Sequence, residues 1–575
     1  LISVVVSVTV IPTLAARLLA GASDRFTSLP SIPLVDKPAR LFAGQIFRYA
    51  RFAVSHQRRG LLVVATILVL AGAFCARFMP QLDYLPDGNA NFAFGRISVP
   101  AGYSMDETLR IAERMEQAAR PLWEGKTKPD GPPEIERFFF VAYSGGAFAG
   151  AAARDPSRVG ELKMVLAGPV FAEPGARAFV QQASLFGRSV GGSRSIRLDI
   201  VGPNRDDILP VAVQVNNALE ARFARRDGNQ IRALPSLDSG APQIRITPDL
   251  PALARAGVSV RDLSTAVDVF NDGANVIQVP IDGQLIDMVL SGSDAENLTA
   301  GALQNIPIIT RGGLVLRLNQ LAKIDVVTAP EQVRRLGGRQ SISLQLRPNE
   351  TLALEDVVDI IDSEILPEIR SEAISQGVSI KLEGAASALD QTWRAMQSNV
   401  LTAIFVIFLL MVILLRSFLL PFIILLTIPV AGAGGIAGLA ILNIFIRQPL
   451  DMLTMLGFVI LTGVVVNNAI LMIEQTMLHL RDDGLTANAA IIEATKNRIR
   501  PIFMSTLTSL FGLVPLVIFP GAGSELYRGI GVVVFGGLGL SMLATLIIVP
   551  PLLGIVLNSR FGGRMQQATA LSDNL

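Results

Sequence analysis

Two adjacent asparagines, Asn467 and Asn468, lie in an apolar run long enough to cross a membrane. An amide left unpaired in hydrocarbon costs about 2–7 kcal/mol, so we expect both side chains to face neighbouring helices. Ser505, Thr506 and Thr508 lie in the next apolar run, and their hydroxyls could line a hydrated proton relay with Asn467. The alternative is that the amides only join helices, at roughly 0.6 kcal/mol per contact, while the hydroxyls bond to their own helix.

A second candidate site combines aromatic side chains with glycines. It consists of Phe140, Tyr143, Gly146, Phe148, Gly150 and Met164. Aromatic rings and methionine bind varied amphiphiles through burial and dispersion, so this set predicts a substrate pocket beside the glycine-rich stretch Ser144–Ala153. For Phe138–Phe140 the alternative is that a strand alternates these rings into a sheet core. Phe148 is better placed, because glycines surround it.

Few residues suit enzymatic or metal chemistry. His56 and His479 are the only histidines and each stands in isolation, so a histidine-based triad or metal cluster is not expected. The single Cys75 excludes an intrachain disulfide and a cysteine-rich metal site. We therefore expect no enzyme, no metal site and no cofactor.

Composition indicates membrane helices joined to a large aqueous part. The 575 residues are 50% hydrophobic yet 17% charged, and the mean hydropathy is +0.47. Fifty Lys and Arg face 48 Asp and Glu, which leaves a formal charge of +2 without a block of basic residues. Nucleic acid is therefore not an expected partner.

Six apolar runs approach the roughly 20 residues that a bilayer crossing needs. They are Leu61–Phe78, Ser398–Leu415, Phe418–Leu442, Met452–Met472, Pro501–Phe519 and Ile530–Leu557. Leu1–Leu19 resembles the end of a further helix, so we interpret the chain as a fragment. Lysine and arginine cluster in alternate connections, whereas the opposite short loops hold only Arg447 and Arg528, which places the clusters in the cytoplasm.

The predicted fold is a polytopic α-helical membrane domain with a large α+β periplasmic insert of ferredoxin-like β-α-β modules and a docking block. The predicted segments are a helix end (1–20), a cytoplasmic linker with an interfacial helix (21–60), a membrane helix (61–80), porter modules (81–249), a docking subdomain (250–330), the porter module continued (331–395), five membrane helices (396–558) and a cytoplasmic tail (559–575). Leu41–Arg51 fits a helix in the membrane interface or an ordinary connecting helix.

Three strand-helix-strand runs are predicted in the insert. The first has Phe92–Val99, a helix with the capping box Ser104-x-x-Glu107, and Ile135–Val141; the second has Ile196–Val201, Asp206–Phe223 and Gln243–Ile246; the third has Ser341–Leu346, Leu354–Ser371 and Val378–Leu382. They predict two compact sandwiches with the docking block, about Leu250–Pro330, inserted between them.

Three ordered motifs resemble the resistance-nodulation-division (RND) superfamily, specifically the C-terminal half of a hydrophobe/amphiphile efflux permease. The run from Gly463 to Leu471 resembles G-x-x-x-[KN]-N-A-I-L, and Arg498 to Thr506 resembles R-x-R-P-I-x-M-[ST]. Gly521 to Ser524, followed by Gly536-Gly537, also fits the family. The resemblance spans almost the whole chain.

The resemblance implies a homotrimeric permease of the bacterial inner membrane that exports amphiphilic small molecules by proton influx. Its implied partners are its own N-terminal half, a periplasmic adaptor, an outer-membrane channel and the lipid bilayer. Phe148-Ala149-Gly150 resembles the flexible loop between two substrate pockets in such pumps.

The chain departs from the best-known drug pumps at Asn467, where they carry lysine. Asparagine cannot titrate, so proton binding would rest on the aspartate pair that the family carries in its first half. Rival interpretations are a heavy-metal exporter, which would want methionines around the pocket, and a translocation or lipid-transport relative with the same membrane core.

Overall fold

The computed structural model describes residues 33–558, apart from 86–87, 89, 101–102, 126–130, 144, 186–193, 238–239, 282, 293–299, 331, 350 and 520–523. The chain forms two compact units, Leu1–Gln81 with Trp393–Leu575, and Leu82–Thr392. The predicted helix end at 1–20, the tail at 559–575 and the motif glycines Gly521 and Gly523 lie outside the described residues.

The first unit opens with the helices α1 (Pro33–Ser55) and α2 (Gln57–Phe78). Ala50 and Val54 of α1 are buried, and the hydroxyl of Tyr49 donates a hydrogen bond to the carbonyl oxygen of Ile547 over 3.0 Å. The helix therefore packs along one face and is longer than the predicted Leu41–Arg51. This packing is compatible with both interpretations of α1.

The second unit alternates short strands and helices. Its strands are β1 (Ala93–Ser98), β2 (Ile135–Tyr143), β3 (Gly146–Ala153), β4 (Arg177–Gln182), β5 (Ile196–Gly202), β6 (Gln230–Leu234), β7 (Ala241–Pro248), β8 (Ala274–Ile281), β9 (Gln284–Leu290), β10 (Pro307–Ile309), β11 (Val315–Arg317), β12 (Ala322–Ala329), β13 (Arg335–Leu336), β14 (Arg339–Arg347) and β15 (Ser379–Gly384). Its helices are α3 (Met105–Trp123), α4 (Leu162–Phe171), α5 (Arg205–Arg222), α6 (Leu250–Ala256), α7 (Val260–Asn271), α8 (Ala300–Leu303), α9 (Leu354–Ile360) and α10 (Leu366–Ser375).

The first sheet is antiparallel, with the strand order β2-β3-β1-β4. Its chain order is β-α-β-β-α-β, and α3 and α4 cover one face. Ile97, Ile111 and Leu166 lie in the core between the sheet and these helices. Ser104 caps α3 by accepting a hydrogen bond from the backbone N–H of Glu107, which forms that half of the predicted capping box.

The second sheet places β14 and β5 at its centre, flanked by β6 and β15, with β13 also beside β14. Ile200, Leu219 and Leu344 are buried in the core beneath α5, α9 and α10. The predicted helix Leu354–Ser371 is two helices joined by one π-helical turn, Ile361–Ile365.

The strand predicted at Gln243–Ile246 belongs to a different sheet from the one expected. As part of β7 it pairs with β12 in a separate two-stranded sheet, next to the core around Leu253, Leu263 and Leu318. The strand that pairs with β14 instead is β6, which the sequence analysis missed. β6 has five residues, and such a short run is easily hidden among turn residues.

The first unit closes with α11 (Ala385–Leu415), α12 (Leu419–Leu425), α13 (Ile428–Leu442), α14 (Met452–Arg481), α15 (Ala487–Ile518) and α16 (Arg528–Asn558). Six helical stretches of the described chain are long and apolar enough to cross a membrane: α2, α11, α12 with α13, α14, α15, and α16 with the turn before it. All six predicted runs are therefore helices. The helix α16 packs against α13, α14 and α15, with Val549 in a core shared with Val430 and Val466.

Candidate functional site

The predicted loop at Ser144–Ala153 is instead a strand over Gly146–Ala153, and Ser144 lies outside the described residues. β3 is an inner strand, paired with both β1 and β2. The glycines provide space for aromatic rings across the strand pair. A Cβ at Gly146 would lie 3.0 Å from the hydroxyl of Tyr143, and a Cβ at Gly150 would clash with the ring of Phe139.

Strand alternation divides the predicted pocket residues between two faces of the first sheet. Phe140 packs against the core on the helix side, as expected if the strand places its rings in a sheet core. Tyr143 and Phe148 lie on the opposite face, with ring centres 6.1 Å apart. Because successive side chains of a strand point to opposite faces, Phe140 cannot join them.

A cleft of about 860 Å³ lies between the first sheet and the second. Of the predicted pocket residues, Tyr143 and Met164 line it, and Met164 is 67% exposed. Phe171 and Phe179 add aromatic surface that the sequence analysis missed. This volume and mixture of apolar and polar lining are typical of sites for small organic molecules.

Two hydrogen bonds join the sheets that form the cleft. The side-chain nitrogen of Gln230 donates to the carbonyl oxygen of Val180 over 2.7 Å, and Arg347 donates to the buried side chain of Gln181 over 3.0 Å. Gln230 and Val180 are themselves part of the lining. Beside the cleft, β4 of the first sheet is therefore joined to β6 and β14 of the second.

The cleft has a strong excess of positive charge. Seven of its described lining residues are basic and none is acidic. The basic residues are Arg96, Lys163, Arg177, Arg205, Arg225, Arg226 and Arg232. Burial, together with the neighbouring charge of Arg96, lowers the pKa of Arg232 to about 10, although Tyr143 opposes this shift. The guanidinium of Arg232 is thus partly desolvated and feels the charge of Arg96.

In α14 of the first unit, the side chains of the two asparagines lie on different faces of the helix. Asn468 is buried, and its amide nitrogen donates to the hydroxyl of Thr506 over 3.4 Å. Asn467 is exposed, so within the described part of the chain only Asn468 faces a neighbouring helix. Successive residues of a helix point about 100° apart, so one neighbouring helix cannot receive both.

The hydroxyls of α15 mostly bond to their own helix. Ser505 donates to the carbonyl oxygen of Ile502 over 3.1 Å, and Thr508 donates to that of Met504 over 2.7 Å. Ser505 is exposed, and of the candidate relay residues the structure brings together only Asn468 and Thr506.

His479 is not isolated, in contrast to the sequence interpretation. Its Nδ1 donates to the carboxylate of Asp483, and its Nε2 accepts hydrogen bonds from Gln475 and Asn497, each over 3.1 Å. The spacing of Gln475 and His479 was a signal for this cluster, because residues four apart meet on one helical face, and Asp483 follows two residues after the end of α14. The cluster joins α14 to α15. Within the described part of the chain, no group of three or more His, Cys, Asp or Glu is arranged to hold a metal ion.

Known proteins resemble this chain in sequence and in fold. Multidrug resistance protein MdtC of Erwinia tasmaniensis is 28% identical over 384 residues, which is 66% of this chain and 36% of that protein. MdtC of Klebsiella pneumoniae matches to the same extent. The chain thus matches about a third of the length of these curated relatives.

A crystal structure of a heavy metal efflux pump superposes with a TM-score of 0.72 at 20% identity, over 91% of this chain and 52% of that one. This likeness concerns the fold. The family model described as the AcrB/AcrD/AcrF family matches residues 1–556. The chain therefore belongs to the AcrB/AcrD/AcrF family of RND permeases.

Proposed function

We propose that this chain is part of a proton-driven efflux transporter that exports amphiphilic or hydrophobic compounds across the bacterial inner membrane. The observation that carries the proposal is the cleft beside Tyr143, Phe171 and Phe179, in a family member with six membrane-length helices. Aromatic lining around a large cleft binds varied apolar molecules without demanding one shape.

In this proposal the two sheets are ferredoxin-like porter modules in the periplasm. Both contain four strands in the sheet order 4-1-3-2, counted along each β-α-β-β-α-β run, as in that fold, and the second sheet adds the short strand β13 beside β14. The block around β7 to β12 is the docking subdomain, and its exposed apolar hairpin of β8 and β9 suits contact with other proteins. The assembly would be a homotrimer that works with a periplasmic adaptor and an outer-membrane channel.

The membrane helices support a role for a further polypeptide segment, the permease's own N-terminal half. Asn467 and Glu474 are both exposed and lie seven residues apart on one face of α14. Polar and ionisable side chains are costly against lipid and normally face protein or water. We infer that the N-terminal half covers this face and supplies the titrating groups, with Asn467, Asn468, Ser505 and Thr506 as relay residues beside it.

Amphiphile export is favoured over heavy-metal export by the donors in the cleft. Met164 is the only methionine among its described lining residues, and none of them is His, Cys, Asp or Glu. A soft metal ion as cargo would need several sulfur or imidazole ligands.

The test is dye accumulation in pump-deficient cells that express the full-length permease containing this chain. We expect lower accumulation than in cells with an empty vector, and loss of this difference when an uncoupler collapses the proton gradient. Ser98→Trp should block export, because Ser98 is an exposed residue of the cleft lining. Ser371→Trp, at an exposed position of α10 outside the lining, is the matched control. Export that survives the uncoupler would refute proton coupling.

A further inference from the structure

The positive charge of the cleft is compensated unevenly. At its margin, Arg225 forms an ion pair with Glu220 over 2.6 Å, and Arg226 lies 3.9 Å from Asp227. Arg96 and Arg232 differ from these residues, because no carboxylate of the described chain lies within ion-pair distance of either. Arg96 on β1 and Arg232 on β6 therefore each carry a charge that no described carboxylate balances.

Arg96 is positioned by aromatic rings instead of by a counter-ion. Its guanidinium carbon lies 5.5 Å from the ring centre of Tyr143 and 5.7 Å from that of Phe148. The register of β1 explains this, since Arg96 lies directly opposite Phe148 on β3 and Phe179 on β4. Cation–π contact orients the guanidinium while leaving its N–H donors without an anionic acceptor.

Arg232 carries an energetic penalty that an anion would relieve. Both burial and the charge of Arg96 oppose its protonated form, which is why its pKa falls to about 10. An oxyanion in the cleft would reverse this, because charge-assisted hydrogen bonds to a guanidinium are strong and often bidentate.

One further polar atom in the lining lacks a partner among the described residues. The hydroxyl of Tyr143 is buried and forms no hydrogen bond with the part of the chain that the structure describes. Buried polar atoms are normally satisfied, so this hydroxyl, whose ring lies beside Arg96, is consistent with a ligand that supplies the missing contact. The hydroxyl of Tyr143 can donate to an anion directly.

We propose that this cleft selects amphiphiles with an anionic headgroup, such as a carboxylate, sulfonate or phosphate, which Arg96 and Arg232 bind while Phe171, Phe179 and Met164 contact the apolar tail. The proposal rests on the efflux function proposed above and names its substrate class. Cationic amphiphiles are disfavoured at the same site, because like charge adds to the existing repulsion.

The test compares two fluorescent probes, pyrenebutanoate and pyrenebutyltrimethylammonium, which share a ring system and tether but differ in the sign of their charge. Pump-deficient cells expressing the full-length permease are loaded with each probe, and the rate of export is measured. Each variant is compared with wild type on the same probe, so differences in passive permeation cancel. The variants are Arg232→Gln, Arg96→Gln and Arg232→Lys. The control is Arg137→Gln, whose side chain is 82% exposed on β2 and outside the lining.

We expect Arg232→Gln and Arg96→Gln each to slow export of the anion about tenfold, as loss of one charge-assisted contact predicts, and to leave or improve export of the cation. Arg232→Lys should retain part of the anion export, and Arg137→Gln should match wild type. Purified variants are first checked for folding by thermal unfolding and are then titrated with pyrenebutanoate. If one arginine variant is misfolded, the result for the variant at the other arginine tests the proposal.

Equal loss of both probes in folded variants would overturn the inference, since it would assign the arginines a structural role. Wild-type export of the cation but not the anion would also overturn it, while leaving the efflux function intact. Export of neither probe, together with uncoupler-insensitive dye accumulation, would refute the efflux function and this inference with it.

Discussion

Asn468 donates a hydrogen bond from its side-chain nitrogen to the hydroxyl of Thr506 over 3.4 Å, and so joins α14 to α15 in the first unit. Both side chains are buried, at 6% and 3% exposure. Of the candidate relay residues, they are the two that the fold brings into contact.

We expect Asn468→Leu and Thr506→Val to be coupled by about 0.6 kcal/mol in a double-mutant cycle, the usual worth of such a bond between membrane helices. The measurement is reversible unfolding of the full-length protein in detergent, alongside efflux in cells. If the pair relays protons, either variant loses efflux while remaining folded. Unchanged efflux in both folded variants would rule out the relay. If the loss of unfolding free energy in the double variant equals the sum of the two single losses, the hydrogen bond is ruled out.

The close crossing of α13 and α16 depends on two glycines. A Cβ at Gly434 would lie 2.6 Å from the carbonyl oxygen of Gly536, and a Cβ at Gly536 would clash with that of Gly434. We expect Gly536→Ala to destabilise the protein by about 1–3 kcal/mol, because backbone atoms cannot move aside as a flexible side chain can. Gly539→Ala is the control on the same helix, since a Cβ added there would meet no atom within 4 Å. Equal melting temperatures for the two variants would contradict the prediction.

A buried ion pair joins Asp83 to Arg194, which lies two residues before the central strand β5 of the second sheet. Its atoms are 3.1 Å apart, and the side chains are 7% and 9% exposed. Asp83→Asn should cost about 3–5 kcal/mol, because it leaves a buried guanidinium without its counter-ion. The double change Asp83→Asn with Arg194→Met should cost less than the single one. Hydrogen exchange of the β5 amides measures both, and a larger loss in the double variant would refute this account.

The start of α7 should respond to pH in the acid range. Ser259 and Asp262 form a capping box, and hydrogen bonds from the side chain and backbone of Ser259 hold the pKa of Asp262 below its ordinary value of 3.8. A lowered carboxyl pKa means that the ionised form stabilises the fold. This contribution to stability is therefore present at pH values above the ordinary pKa, and it is lost as the pH falls through the lower pKa of the folded state.

Hydrogen exchange of the α7 amides checks this. Asp262→Asn should exchange faster than wild type at pH 7, and the two proteins should converge as the pH falls below about 4. Asp268→Asn, on the same helix but outside the capping box, is the matched control for replacing a carboxylate by an amide. A difference that persists unchanged in acid would contradict the assignment.

The membrane helices could be predicted from the sequence alone because hydrocarbon imposes a local rule. About 20 apolar residues suffice to identify a crossing, whatever they later contact. All six predicted runs are helices, although the structure starts α11 at Ala385 and α15 at Ala487, well before the predicted apolar segments. Those early turns are polar, and hydropathy gives no signal for a helix that continues beyond the apolar layer.

The strand pairing and the cleft could not be predicted, because they depend on contacts between residues distant in sequence. The glycine-rich run was interpreted as a loop, but it is a strand. The rings of Tyr143 and Phe139 on the neighbouring strand fill the space that side chains at Gly146 and Gly150 would occupy. The local sequence shows small residues, but it does not show which rings lie opposite them.

The sequence by itself determined the family motifs, the six apolar helices and the α+β character of the other unit, since each follows from local composition and spacing. Only the tertiary structure decided that Asn468 is buried while Asn467 is exposed, and that Arg96 and Arg232 face one cleft. The physical reason is that burial, and the repulsion between like charges, depend on which distant strands and helices pack together.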